Sequence, residues 1–218
     1  MGTKMYTHTS RLRGNVSRNV GIAFAIATTI LLSGCFLPDE FDLKFDIPNS
    51  SEVSWTYDGN WRFFFAKYDP QKDKSPPKEL TKLTKELGKI PGSTSVTHSG
   101  KNIWKQSISW KAKLRDAEGK PVPTTFPAAK KRSSYWLVRI VPEGENSVIL
   151  TTVPAPKAKK LEGFVKMGYK SSGTFSINTT GTVEQISGPK LSKGWFDSSY
   201  SGTWNLFEGE PIKVRIKW

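Results

Sequence analysis

The chain has 218 residues, and its 33 Lys and Arg against 19 Asp and Glu give a formal net charge of +14. A single cysteine excludes an internal disulfide, and two histidines are too few for a metal centre built mainly from imidazoles. The length suits one domain with a real hydrophobic core.

The first part of the chain has the organisation of an export signal. It carries four basic side chains, Lys4, Arg11, Arg13 and Arg18, and no acidic residue before residue 35. An apolar run over residues 20–32 follows, shorter than the roughly 20 residues of a membrane-spanning helix. We therefore predict a signal peptide over residues 1–34, and a start at Met5 would shorten only its basic part.

The signal ends on Leu32-Ser33-Gly34-Cys35, which resembles the lipobox of bacterial lipoproteins. The resemblance implies cleavage between Gly34 and Cys35, with a diacylglyceryl group on the Cys35 thiol and, in many species, a further acyl chain on the new amino group. Each buried CH₂ contributes roughly 0.8 kcal/mol, so two or three chains anchor a protein stably. The alternatives are an ordinary thiol behind an ordinary signal or within an uncleaved anchor.

Without residues 1–34, the chain keeps 184 residues and a formal charge of +10. An exported, lipid-anchored protein meets lipid head groups, envelope proteins and anionic polymers, so we expect these as partners and do not expect nucleic acid. Scattered lysines are equally consistent with a solvated surface that favours solubility.

The first elements predicted after the signal peptide are β-strands. Residues 41–47 and 53–57 alternate apolar and polar side chains around a turn at residues 48–51, and Asp58-Gly59 before residues 61–65 predicts a tight hairpin. Leucines at helical spacing predict a short helix over residues 77–89. Residues 102–114 alternate again and place Lys105, Lys111 and Lys113 on one exposed face.

The second half also indicates strands. A Pro-rich loop carries Lys130, Lys131 and Arg132, which together with the three lysines of residues 102–114 are candidate contacts for anionic partners. Residues 135–141 and 147–153 predict paired strands, and residues 154–160 resemble a linker. We favour one domain over residues 35–218, with a separate lobe after residue 160 as the alternative.

Near the C-terminus, residues 173–177 and 181–186 flank Asn178-Thr179-Thr180, which predicts a hairpin. After residues 203–207, a turn at Glu208-Gly209 leads to a final alternating strand over residues 212–218. The predicted fold is therefore mainly β, an antiparallel β-sandwich or open barrel with one short helix.

A wider resemblance follows from the order of these segments. The lipobox, the strand from Phe41 to Ile47, Tyr57-Asp58-Gly59, the Gly173 and Gly181 segments, and Tyr200 with Trp204 are together similar to a loose group of uncharacterised lipoproteins of Gram-negative bacteria. The resemblance implies no catalytic residue, cofactor or metal.

Little in the sequence points to catalysis. After residue 35 the only histidine is His98, in a Ser/Thr/Gly-rich stretch that predicts a loop, and neither a Gly-x-Ser-x-Gly elbow nor a nucleotide-binding Gly-rich loop occurs. We expect a non-catalytic structural or partner-binding lipoprotein. The alternatives are a carrier or sensor of an apolar or anionic ligand, and an enzyme built on distant carboxylates.

The residue after Cys35 makes a prediction about sorting. In enteric lipoproteins, Asp at that position favours retention in the inner membrane, whereas this chain has Phe36. We expect outer-membrane placement facing the periplasm, or the outer face of the cell membrane if the source is not Gram-negative. Sucrose-gradient fractionation that finds the protein in the inner membrane alone would contradict this expectation.

Overall fold

The chain folds as two open sheets packed as a sandwich, in a computed structural model that describes residues 36–63, 78–100, 102–127, 136–155, 165, 171–195 and 198–218. The predicted mainly β class is confirmed, and the sheets are mostly antiparallel and do not close into a barrel. Helix α1 (Lys78–Gly88) matches the predicted helix.

The strands in chain order are β1 (Phe36–Asn49), β2 (Glu52–Phe63), β3 (Ser93–Gly100), β4 (Ile103–Lys113), β5 (Thr124–Phe126), β6 (Val138–Pro142), β7 (Ser147–Thr152), β8 (Ser172–Asn178), β9 (Thr182–Ser187), β10 (Ser192–Lys193), β11 (Ser199–Asn205) and β12 (Lys213–Lys217). The larger sheet has the order β10-β11-β8-β1-β2-β4-β3. The smaller sheet has the order β5-β6-β7-β12-β9.

Strand β1 lies in the middle of the larger sheet, antiparallel to β2 and parallel to β8. Its alternating apolar side chains, Phe41, Leu43, Phe45 and Ile47, are all buried between the two sheets. Because successive side chains point to opposite faces, the intervening charged residues lie on the outer face. The predicted strand and the turn after it at Ser50 and Ser51 are confirmed.

The predicted hairpin at Asp58-Gly59 is wrong, because both residues lie inside β2. Gly59 is opposite Phe41, and a Cβ atom there would come within 2.6 Å of the Phe41 Cβ. On the other side of β1, Gly173 is also opposite Phe41, and its Cβ would meet the Phe41 carbonyl oxygen at 2.1 Å. These glycines serve close packing around Phe41 and do not mark turns.

Helix α1 covers the inner face of the larger sheet beside β3 and β4. Leu80 and Leu87 are buried, as the leucine spacing predicts, and each contributes roughly 1.5–3 kcal/mol by leaving water. The Trp104 indole Nε1 donates to Thr84 Oγ1 at 2.9 Å, and Gln106 Nε2 donates to the Leu87 carbonyl at 2.9 Å. The second bond satisfies a carbonyl at the end of the helix.

The predicted hairpin around residues 178–180 is also wrong. Strand β8 belongs to the larger sheet and β9 to the smaller one, so the chain crosses between sheets at this point. The predicted pairing of β6 with β7 is confirmed, and the final strand β12 lies in the smaller sheet between β7 and β9. The described strands that follow residue 160 therefore belong to both sheets.

Gly59→Ala should destabilise the fold by about 1–3 kcal/mol, because the added methyl group has no space beside Phe41. The matched control is Gly88→Ala, where an added Cβ meets nothing within 4 Å and alanine favours the helix. Urea unfolding of both variants measures the difference. Equal stabilities of the two variants would contradict the proposed packing constraint.

Candidate functional site

The three lysines predicted on the 102–114 strand lie together on the outer face of β4. Lys105, Lys111 and Lys113 are exposed, and they alternate with the inward residues Trp104, Gln106 and Ile108, which are buried. This part of the candidate anionic contact is therefore placed as the alternation predicts.

Acidic side chains on the neighbouring strand weaken this lysine stripe as an anion site. The Lys105 Nζ atom lies 4.0 Å from Asp58 Oδ1, and Glu52 is directly opposite Lys113 in the ladder between β2 and β4. An exposed pair of this kind contributes little to stability, but its carboxylate offsets the charge of the lysine. The outer face of the larger sheet is consequently of mixed charge.

The outer face of the smaller sheet carries an ion-pair network centred on Arg215 of β12. Arg215 Nε donates to Glu143 Oε2 at 2.6 Å, and Arg215 Nη1 lies 3.5 Å from Glu184 Oε2. Lys217 Nζ adds a contact of 3.0 Å to the same Glu184 oxygen. Strands β12 and β9, which supply the two cations and Glu184, are held in register by backbone hydrogen bonds, so the network needs little ordering.

The network shifts the pKa of both carboxyl groups. The hydrogen bond from Arg215 lowers the pKa of Glu143, and the hydrogen bond from Lys217 lowers the pKa of Glu184. The Glu143 hydrogen bond in turn raises the pKa of Arg215. Both carboxylates stay charged near neutral pH, and their two negative charges balance the positive charges of Arg215 and Lys217 on this half of the sheet face.

A buried polar cluster lies near the first residues of β1. An extra residue in β1 opposite Asn60 forms a β-bulge, and the Asp39 side chain, which is 7% exposed, points inward there. Arg62 donates to Asp39 through both Nε, at 3.0 Å, and Nη2. Ser171 donates its amide to Asp39 and its hydroxyl to the Pro38 carbonyl. The cluster ties the start of β1 to two distant segments.

His98 lies in strand β3 and not in the predicted loop. The turn falls after it, where Gly100 and Asn102 adopt positive φ angles of 88° and 65°. The His98 ring lies 4.8 Å from the Trp104 ring between centroids, and partial burial lowers the pKa of His98. This environment favours a neutral imidazole packed on an aromatic ring.

Other predicted site residues lie outside the described residues. They are Gly34, Cys35, Lys130, Lys131 and Arg132. Within the described ranges, no cluster of three His, Cys, Asp or Glu side chains is arranged to hold a metal ion. The helices in the same ranges include none with the length and apolar character needed to cross a membrane.

No family model matches the chain, and no curated protein matches it either. Interpretation of its function therefore depends on its own residues.

The ion-pair network predicts a pH dependence of stability. Glu143 and Glu184 have lowered folded-state pKa values, so their stabilisation is present above the ordinary Glu value of 4.5 and is lost as pH falls through the folded-state values. Arg215→Gln should lower the Tm at pH 7, and the difference from the wild type should shrink as the pH falls below 4.5.

Arg139→Gln is the control for this measurement, because Arg139 lies on the same outer face but is absent from the network. Its Tm difference from the wild type should not follow the titration of the two glutamates. A constant Tm difference for Arg215→Gln between pH 7 and the acid range would contradict the assignment.

Proposed function

We propose that this chain is a bacterial envelope lipoprotein, anchored by acyl chains on Cys35, whose β-sandwich is a non-catalytic structural or partner-binding module. The observation that carries the proposal is the lipobox Leu32-Ser33-Gly34-Cys35 followed at once by β1, which begins at Phe36. Because no linker separates the modified residue from the sheet, the folded module would stand directly on the membrane surface.

The position of β1 supports an anchoring role for its first residues. A strand at the sheet edge could peel away, whereas β1 pairs with β2 from Phe36 and with β8 as well from Glu40. The Asp39 and Arg62 pair adds a contact near the same end. A lipid at Cys35 would thus be joined to the centre of the larger sheet.

The filling of the space between the sheets favours a partner-binding module over a ligand carrier. Trp55 lies 6.4 Å from Phe126 in an edge-to-face contact, and Tyr57 lies 5.4 Å from Phe126 between ring centroids. Phe45 makes similar contacts with Trp55 and Phe175. Aromatic side chains from both sheets therefore occupy the volume that a carrier would keep for its ligand.

The anchor is tested by Cys35→Ala. Without the thiol no thioether to diacylglycerol can form, so the protein should move from the membrane fraction to the soluble fraction and lose the mass of the acyl groups. Fractionation followed by intact-mass spectrometry measures both effects.

Ser33→Ala is the matched control, since it keeps a small residue before the cleavage site and leaves Cys35 in place. It should remain lipidated and membrane-bound. An unmodified thiol and an uncleaved leader in the native protein would overturn the proposal.

A further inference from the structure

Two basic side chains and a hydroxyl form a short row on the outer face of the smaller sheet. Thr151 of β7 is directly opposite Arg139 of β6 on one side and Lys213 of β12 on the other. The residues that precede and follow Arg139, Thr151 and Lys213 in the sequence are all buried. The side chains of these three residues therefore point outward. Neighbouring strands lie about 4.8 Å apart, which separates the two basic residues by about 10 Å along the row.

The row differs from the rest of the same face in having no direct ion pair among the described residues, although the charge of Lys213 contributes to the lowered pKa of Glu143. Arg215 and Lys217, farther along β12, are paired with Glu143 and Glu184. Arg139 and Lys213 form no salt bridge in the described part of the chain, and Thr151 forms no side-chain hydrogen bond there. Arg139 and Lys213 are thus not held in direct contact with a described carboxylate, which leaves their donors available for an anion.

We propose that Arg139, Thr151 and Lys213 form a binding site for a phosphate group. The guanidinium of Arg139 provides a planar pair of donors, Lys213 provides a mobile ammonium, and the Thr151 hydroxyl donates between them. Both basic side chains are long enough to converge on an anion above Thr151. Charge-assisted hydrogen bonds of this kind are about twice as strong as neutral ones.

Neighbouring carboxylates make the lysine stripe on β4 a weaker phosphate site than the row, although both lie on strands that are hydrogen-bonded on both sides. Strand β7 is hydrogen-bonded on both sides, so the backbone positions of the three residues are fixed before a ligand arrives. On β4, Lys105 has Asp58 beside it and Lys113 has Glu52 opposite. Those carboxylates would repel the same phosphate group.

The test is a titration of the full chain with inorganic phosphate. Nuclear magnetic resonance measures the chemical-shift changes of the Arg139, Thr151 and Lys213 amides during the titration. Sodium chloride at matched ionic strength controls for screening. We expect saturable shifts confined to the row. No saturation at concentrations on the order of tens of millimolar would overturn the site.

Charge-matched variants separate the site from general attraction. Arg139→Gln with Lys213→Gln should weaken phosphate binding by about tenfold or more, whereas Lys111→Gln with Lys113→Gln, which removes the same charge, should change it less than about twofold. Equal weakening in both double variants would overturn the proposal.

A vesicle-binding experiment distinguishes a lipid headgroup from a soluble phosphate as the ligand. It compares phosphatidylethanolamine vesicles with and without phosphatidylglycerol, and it uses the Cys35→Ala protein so that the lipid anchor does not contribute to binding. Binding to phosphatidylglycerol vesicles that depends on Arg139 and Lys213 supports the site with a lipid headgroup as its ligand. Binding of inorganic phosphate alone supports it with a soluble ligand. Because the Cys35→Ala protein should retain its phosphate affinity, failure of the anchor and failure of this site give different results.

Discussion

The pairing of β1 with a strand on each side is the interaction on which the rest of the structure depends. Its inward side chains supply the centre of the core, and of its two neighbours β2 follows it directly in sequence whereas β8 comes from the second half of the chain. Phe41 illustrates the constraint, because its flanking residues across both ladders are Gly59 and Gly173. Any side chain at either position would push a neighbouring strand away from β1.

Basic side chains are paired with acidic ones in different ways on the two outer faces of the sandwich. On the larger sheet, Asp58 and Glu52 of β2 lie beside Lys105 and Lys113 of β4, so this part of the face carries charges of both signs. On the smaller sheet, Glu143 and Glu184 neutralise one half of the face and leave Arg139 and Lys213 at the other. Among the described residues, strand register therefore decides where two basic side chains come close together without a direct ion pair.

Local sequence patterns predicted most strands and the helix, because alternation and leucine spacing report directly which side of an element is buried. The failures have a common cause. Asp58-Gly59 and residues 178–180 have turn-forming composition, but the first is a close-packing position beside Phe41 and the second a crossing between sheets. The prediction of a loop at His98 failed for the same reason, because it was based on the Ser, Thr and Gly residues next to it in sequence, whereas His98 lies in β3. The row of Arg139, Thr151 and Lys213 joins three separate strands, so no stretch of sequence could have indicated it.

The location of β1 also has a mechanical consequence. A pull on its first residue along the strand would load the hydrogen bonds to β2 and β8 in shear, so that many must break together. If the first strand were instead an edge strand pulled perpendicular to its axis, its backbone hydrogen bonds would break one at a time. In the proposed lipid-anchored protein, a force transmitted through Cys35 would meet this resistance to shear first.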